Sequence, residues 1–458
     1  MTEAPAPLSA TQPRSLMGAA ALRLLGGWGA RVGLAWIGLL VLTAVFAPVV
    51  ASSHPFVWKT DGGVSSPWLR HLTLTDAVLL LSFAVAAVLL LCRRIPLGRR
   101  IAAWAFLTGA LTAAAATGSA VELWRDRATG GVPLVFLMVC VLLAVVAGLM
   151  LLIAWSSSAG GRGKSVVAVA CVLLAGGLLA APIDPPSSVV YSTYREATAA
   201  GEVDWQLLAP LAYSPGDYQR DAMSATGLDA RLQKPSLAHP LGTDESGADV
   251  FSRMIHATRI ALAIGLIATG IAVAIGIVVG GLMGYFAGVV DLLGMRLVEV
   301  FSAIPVIFLL IMIVAFYGRN LYLMMVILGA TGWVGYATFI RAEFLKLRKM
   351  DYVQAAHACG APLWSILFRH MLPNGVTPVL VLASFGIASA ILTESTLSFL
   401  GLGLVEEPSW GQLLNQARRA GGQWGLTLFP GLAIFLTVFA YNLVGEAMRD
   451  ALDPKGGA

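Results

Sequence analysis

With 458 residues, 58% hydrophobic and 12% charged, and a mean hydropathy of +0.80, the chain carries more apolar surface than a soluble fold can enclose. Soluble domains run to roughly 25% charged residues, so the composition specifies a polytopic membrane protein. A net charge of +5 is no sign of a nucleic-acid partner, because the basic residues lie between apolar runs, as they do in cytoplasmic loops.

The N-terminal tail, residues 1–30, opens with Met1–Arg14, a Pro/Ala/Ser-rich stretch with the composition of a disordered segment. A helical span needs about 20 apolar residues. Runs of that kind fall at 31–51, 74–92, 101–121, 133–155, 165–182, 258–285, 297–317, 321–340, 376–398 and 427–447. Backbone groups in lipid must be satisfied internally, and these runs show no strand-like alternation. The expected fold is therefore all-α, with about ten transmembrane helices. The first run exceeds the roughly 7–15 residues of a signal-peptide core, so it is expected to be retained.

Orientation follows from basic residues in short loops. Arg14, Arg23 and Arg31 precede the first span, and Arg93, Arg94, Arg99 and Arg100 follow the second. Arg162 and Lys164 follow the fourth, Arg296 lies between the sixth and seventh, and Arg341, Lys346, Arg348 and Lys349 follow the eighth. With ten crossings in alternation these loops share one side, which places both termini in the cytoplasm. Arg125 and Arg127, on the other side, are offset by Glu122 and Asp126.

After the first span, residues 74–182 form a block of about four extra spans with almost no polar groups. Such a block suits scaffold better than pathway, because solute and ion routes leave ionisable residues behind. The outside loop at 183–257 is long and polar and contains Pro185-Pro186; loops of that length are functional or disordered. Residues 258–447 follow as a core, and 448–458 as a cytoplasmic tail. The four cysteines, Cys92, Cys140, Cys171 and Cys359, lack metal-ligand spacing and are expected to be reduced packing residues.

Ser158–Ser165 resembles a phosphate-binding loop, but Ser158 replaces its first glycine and an apolar span precedes it where a strand is needed. It reads as a basic cytoplasmic loop, and no ATP site is visible in this chain. Glu299 follows Arg296 by three residues, the spacing of a local ion pair. Glu394, near the outer end of the ninth span, either lines a pathway or holds a neighbouring helix. Gly265, Gly270, Gly276, Gly280, Gly281, Gly284 and Gly288 punctuate the sixth span. Glycines there let helices approach closely, in a contact within the chain or with another subunit. Motifs for hydrolytic or metal chemistry are absent from the sequence.

Asp351–Asn374 is neither a span nor a polar loop. Tyr352, Ala355, Ala356 and Cys359 share one face of a first short helix. Gly360 can end it in the left-handed conformation, and Pro362 suits the first turn of a second helix. Leu363, Ile366, Leu367, His370 and Met371 make an apolar stripe on that second helix, and Pro373 closes it. His370 is expected to be packed and hydrogen-bonded rather than a ligand. A compact hairpin of this kind on a water-facing side of a membrane protein is a docking element.

The hairpin resembles the EAA loop of bacterial ABC-transporter permeases, with Gln354-Ala355-Ala356, Gly360, His370, Leu372 and Pro373 at the motif's spacings. Gln354 replaces an acid, and His370 replaces an isoleucine, as is usual in the dipeptide/oligopeptide branch. His239–Val250 is similar to that branch's HPLGTDxxGRDV, with Ala248 in place of arginine. Leu397–Gly403 is similar to LSFLGLG, and Pro408-Ser409-Trp410-Gly411, Leu428-Phe429-Pro430-Gly431 and Arg449–Pro454 follow in order. The resemblance covers about 231–455 and the first span. It implies the C-type subunit of a binding-protein-dependent importer of dipeptides, oligopeptides or related small solutes, with the first span and the last five as its core.

On that resemblance, Tyr352, Gln354, Ala355, Ala356, Gly360, His370, Leu372 and Pro373 couple to an ATPase. Gly242, Thr243, Asp244, Gly247, Asp249, Glu394, Ser398, Gly401, Gly403 and Trp410 lie at the outer mouth of the pathway. ATP and Mg belong to two separate ATP-binding cassette subunits, with no cofactor in this chain and no catalysis by it. The other implied partners are a B-type permease subunit and an extracytoplasmic solute-binding protein, in a cytoplasmic (inner) membrane. The alternatives are an ion-coupled secondary transporter, which needs midplane coordinating groups, and a polytopic membrane enzyme or scaffold.

Overall fold

The computed structural model describes residues 26–60, 63–91, 104, 108, 191–219, 230–403, 407–421 and 424–452. In chain order these form α1 (Trp28–Val50), strands β1 (Val57–Thr60) and β2 (Gly63–Ser65), α2 (Pro67–Arg70) and α3 (Leu74–Leu91). After the inserted block come α4 (Thr193–Ala199), β3 (Trp205–Leu207), α5 (Val250–Phe286), α6 (Gly288–Ser302), α7 (Val306–Tyr317) and α8 (Leu321–Leu347). The hairpin contains α9 (Asp351–Ala358), α10 (Leu363–Ser365), a π-helical turn at Ile366–Met371 and α11 (Leu372–Gly375). The chain ends with α12 (Thr377–Phe399), α13 (Trp410–Arg419) and α14 (Trp424–Leu452). Expected spans 133–155 and 165–182, the span 101–121 apart from Trp104 and Thr108, the Ser158–Ser165 loop, and Cys92, Cys140 and Cys171 lie outside the described residues.

Among the described residues, five helices are long and apolar enough to cross a membrane: α1, α5, α8, α12 and α14. The run at 297–317, expected as one straight span, is instead split. α6 and α7 meet at a 69° bend, with Pro305 at the N-cap of α7, where its missing N–H interrupts the preceding helix. α5 begins at Val250 rather than 258, because the Asp249 side chain caps its first turn by accepting from the Ser252 N–H at 2.8 Å.

Glycines set the core. A Cβ on Gly276 would stand 2.5 Å from Tyr336 Cβ, one on Gly280 2.3 Å from the Ala337 carbonyl, and one on Gly284 2.5 Å from Phe344 Cβ. The sixth-span glycines at these positions therefore serve a contact within the chain. Because 276, 280 and 284 meet 336, 337 and 344 in rising order, α5 and α8 run parallel. The bent α6–α7 pair must bring the chain back across between them. α12 and α14 close the bundle, and α1 packs on α14 so tightly that a Cβ on Gly33 would lie 2.8 Å from the Ala440 carbonyl. The start of α1 and the end of α14 both fall at the hairpin end of the bundle.

The opposite end carries a small cap built from both sides of the inserted block. β1 pairs antiparallel with β2 and with β3, matching Trp58 to Ser65 and to Gln206. Leu211 donates to the Val50 carbonyl at the end of α1, 3.0 Å. Ser53 and Ser214 exchange backbone-to-hydroxyl bonds of 2.9 and 2.7 Å. Asp217 accepts from Ser53 at 2.6 Å and from both Arg195 guanidinium nitrogens. Residues 51–73 and 205–217 thus form one unit, although more than a hundred residues of chain separate them. The first helix of the inserted block, α3, is pinned to the core. Asp76 pairs with Arg259 of α5, whose Nε donates to the Ala44 carbonyl of α1 at 2.5 Å, and Phe83 meets Phe46 edge-on at 5.0 Å.

Candidate functional site

At the end of α8, Arg348 donates to the Tyr285 carbonyl at 3.2 Å, which ties the root of the hairpin to the end of α5. α9 then ends in a Schellman motif. Gly360 N–H bonds to the His357 carbonyl at 3.0 Å and Ala361 N–H to the Ala356 carbonyl at 3.1 Å, with Gly360 at φ +72°. Pro362 is the N-cap of α10 rather than a residue of its first turn. Pro373 does not close the second arm, as expected, but lies within α11. The turn just before it is widened to π geometry, which relieves the crowding that a proline ring imposes on the preceding turn. Asn374 donates to the His370 carbonyl at 2.8 Å and His370 Nδ1 meets the Ser365 carbonyl at 2.9 Å, so His370 is the hydrogen-bonded residue its position suggested.

Val353, Ile366, Leu367 and Met371 are buried in one cluster with Tyr336, Phe344 and Leu347 of α8. Leu363, expected in that stripe, is instead exposed beside Trp364. Tyr352, Gln354 and Ala355 are exposed, Ala356 is half-buried, and Leu372 is half-buried. Cys359 is a free, exposed cysteine rather than a packing residue. Gln354 Nε2 donates to the Lys349 carbonyl at 3.3 Å, and the Tyr352 hydroxyl accepts from Asn374 at 3.4 Å. The hairpin therefore has an anchored inner face and an exposed outer face, with Tyr352, Gln354 and Ala355 on its first arm and Leu363 and Trp364 on its second.

At the cap end the sequence motifs enclose one another. Asp244 Oδ1 accepts from Ser246 N–H at 2.7 Å and Ala248 N–H at 3.0 Å, while Oδ2 pairs with Arg253. Arg253 in turn donates to Gln412 of α13 at 2.9 Å. Asp249 accepts from His239 Nδ1 at 2.9 Å as well as capping α5. Thr243 bridges the Ala230 carbonyl at 2.6 Å and the Gln233 N–H at 2.8 Å. Gly242, at φ +81°, sits where a Cβ would come 2.3 Å from the Gln233 carbonyl.

α12 ends in a second Schellman motif, Gly401 N–H to the Ser398 carbonyl at 3.0 Å and Leu402 N–H to the Leu397 carbonyl at 2.9 Å, which accounts for the L-S-F-L-G-L pattern. Glu394 is buried and accepts from Ser398 Oγ at 2.6 Å and Ser395 Oγ at 3.4 Å, with Ser409 adding a third bond. Two of these partners lie on its own helix, and Ser409 is the N-cap of α13. Gly403 and Gly411 pack so closely on Ser398 and Ser395 that a Cβ would stand 2.0 and 2.3 Å from them. Trp410 donates to the Met254 carbonyl at 3.2 Å.

Thr243, Asp244, Asp249, Ser398 and Trp410 are all buried, so they shape this end, while Leu237, Glu245 and Arg419 present its surface. Sequence reasoning missed Arg253 and Arg259; a charge inside an apolar run was the available signal. The chain matches the family described as "Binding-protein-dependent transport system inner membrane component" over residues 276–456. It is 40% identical over 261 residues to the glutathione transport system permease protein GsiD of Pectobacterium atrosepticum, covering 57% of this chain and 87% of that one. It is 41% identical over 221 residues to the oligopeptide transport system permease protein OppC of Haemophilus influenzae, covering 47% and 70%. A solved MetNI methionine ABC transporter structure overlaps with a TM-score of 0.35 at 20% identity, over 44% of this chain and 97% of that chain.

Proposed function

This chain belongs to the family of binding-protein-dependent transport system inner membrane components, as a permease subunit of an ATP-driven importer, and we propose that it forms half of a pathway for dipeptides, oligopeptides or related small solutes. The other half is a second, B-type permease. Two ATP-binding cassette subunits bind ATP with Mg in the cytoplasm, and an extracytoplasmic solute-binding protein delivers the solute. The hairpin end, with both chain termini, faces the cytoplasm, and the cap end faces outward.

The observation that carries this reading is the two-faced hairpin. Its role is mechanical: it seats in a groove of one ATPase and passes that subunit's closure to α5, α8 and α12. Switching an access equilibrium from mostly one state to mostly the other takes about 5.5 kcal/mol. A lever must be held by more than that. Val353, Ile366, Leu367 and Met371 are buried, at about 1.5–3 kcal/mol each, which together exceeds it. Tyr352, Ala355 and Ala356 make the close contact with the ATPase. Gly360 sets the angle between the arms, and His370, Leu372 and Pro373 hold the second arm in shape. At the other end, the enclosed motifs fix the mouth of the pathway and Leu237, Glu245 and Arg419 meet the binding protein.

A photo-crosslinking side chain at Ala355 tests the docking. In the assembled transporter it should capture an ATP-binding cassette subunit, with a yield that changes on adding ATP. Capture of lipid alone would overturn the assignment.

A further inference from the structure

The cap has a face whose partner is not another part of the described chain. Strand alternation puts Val57, Lys59, Val64, Trp205 and Leu207 on one side of the sheet and Trp58 on the other, through the pairs Lys59 with Val64 and Trp205, and Val57 with Leu207. Trp58 is buried and meets Tyr194 edge-on at 5.1 Å. On the opposite face Val64 is 70% exposed, Trp205 54% and Leu207 48%. Lys59 crosses this face and reaches Asp204 at 3.5 Å, leaving its hydrocarbon stem along the apolar surface.

The level of this face is fixed by the spans. Residues 51–73, which carry β1, β2 and α2, run from the end of α1 at Val50 to the start of α3 at Leu74. Two tethers hold the cap down on α1. Trp68 Nε1 donates to the Pro48 carbonyl at 2.7 Å, and Leu211 N–H donates to Val50. Leu69, beside the first tether, is 62% exposed. Leu207 precedes the second by four residues, which at about 3.3 Å each places it no more than about 13 Å from the span's end. The headgroup zone occupies the outer part of a bilayer about 40–45 Å thick around a core of about 30 Å. Tryptophan and aliphatic side chains flanked by Lys59 and the exposed Arg70 are the chemistry that zone favours.

We propose that the cap rests on the membrane, with Val64, Trp205, Leu207 and Leu69 seated at the headgroup–acyl boundary of phospholipids on the cap side. α1, to which the cap is tethered, carries exposed Leu39, Val41 and Leu42 of its own. The cap braces the point where the inserted block joins the permease core.

The test uses the complete transporter in phospholipid vesicles, with the native cysteines replaced and a single nitroxide-labelled cysteine at Val64, Leu207 or Leu237. Labels at Val64 and Leu207 should collide severalfold more with lipid-soluble oxygen than with a water-soluble nickel chelate, and that ratio should reverse at Leu237. Dominant nickel collisions at Val64 and Leu207 would place the face in water and overturn the proposal. Protection from both reagents would show a covering protein segment, and protection appearing only with the binding protein would make this face its dock; either result also overturns it.

Discussion

Gln354 occupies the position of an acid in the motif it resembles, and its contact shows what the exchange does. Its amide donates to the Lys349 carbonyl, which an ionised glutamate cannot do, having no donor. With no charge there, the hairpin must be gripped by shape, so ATPase association with this chain should vary little with salt at this position. Gln354→Glu should make association more salt-sensitive while costing about 0.5–1.5 kcal/mol of hairpin stability. Association measured across ionic strength checks the first part and thermal unfolding the second.

His54 titrates in the cap. It stacks on His71 at 3.8 Å and lies against Tyr191 and Tyr194, and its Nε2 is buried without a hydrogen-bond partner. Asp217 nearby is already engaged by Ser53 and Arg195. Burial, then the charge of His71, push its pKa down from 6.5 to about 4. The folded cap therefore binds fewer protons than the unfolded one between those values. Its stability is complete above pH 6.5 and falls as pH drops toward 4. Hydrogen exchange of residues 51–73, corrected for intrinsic rates, should accelerate over that range, and His54→Phe should flatten the dependence.

At the level of elements, the contact of α5 against α8 is sensitive to one methyl group. Gly280→Ala forces a Cβ against the Ala337 backbone, and overpacking of that kind costs about 1–3 kcal/mol. Gly270→Ala meets nothing within 4 Å and should be neutral. Thermal denaturation of the two purified variants separates them. The sequence located this glycine-rich helix and the hairpin, because both are local patterns of spacing. It could not tell Gly280 from Gly270, which depends on which face α8 covers. It also gave no sign of the bend between α6 and α7, since hydropathy records composition and not direction, and it placed Leu363 by helical period in a stripe from which that side chain is in fact exposed.

At the scale of the molecule, the cap was the part least legible. Its strands are three or four residues long, too short for alternation to declare itself, and its halves are separated by the inserted block. Pairing of β1 with β3 brings residues 57–60 and 205–207 into one sheet across the intervening chain, a long-range contact that no local pattern of spacing records. With the hairpin end in the cytoplasm, tags at the N-terminus, Lys349 and the C-terminus should be reached from there, and a tag at the exposed Leu237 from the opposite side. Labelling in sealed vesicles of known orientation checks this arrangement.

On the proposed function, the hairpin transmits the work of ATP hydrolysis to the spans. Gly360 holds φ +72° with open space around its missing Cβ, so a substitution there strains the backbone without a clash. Valine opposes that conformation, whereas asparagine tolerates it. Peptide uptake and ATP hydrolysis measured together in vesicles containing the assembled transporter decide the matter. Gly360→Val should insert and assemble but lose most uptake per ATP hydrolysed, with Gly360→Asn close to the parent. An unchanged uptake-to-hydrolysis ratio in Gly360→Val would contradict the account.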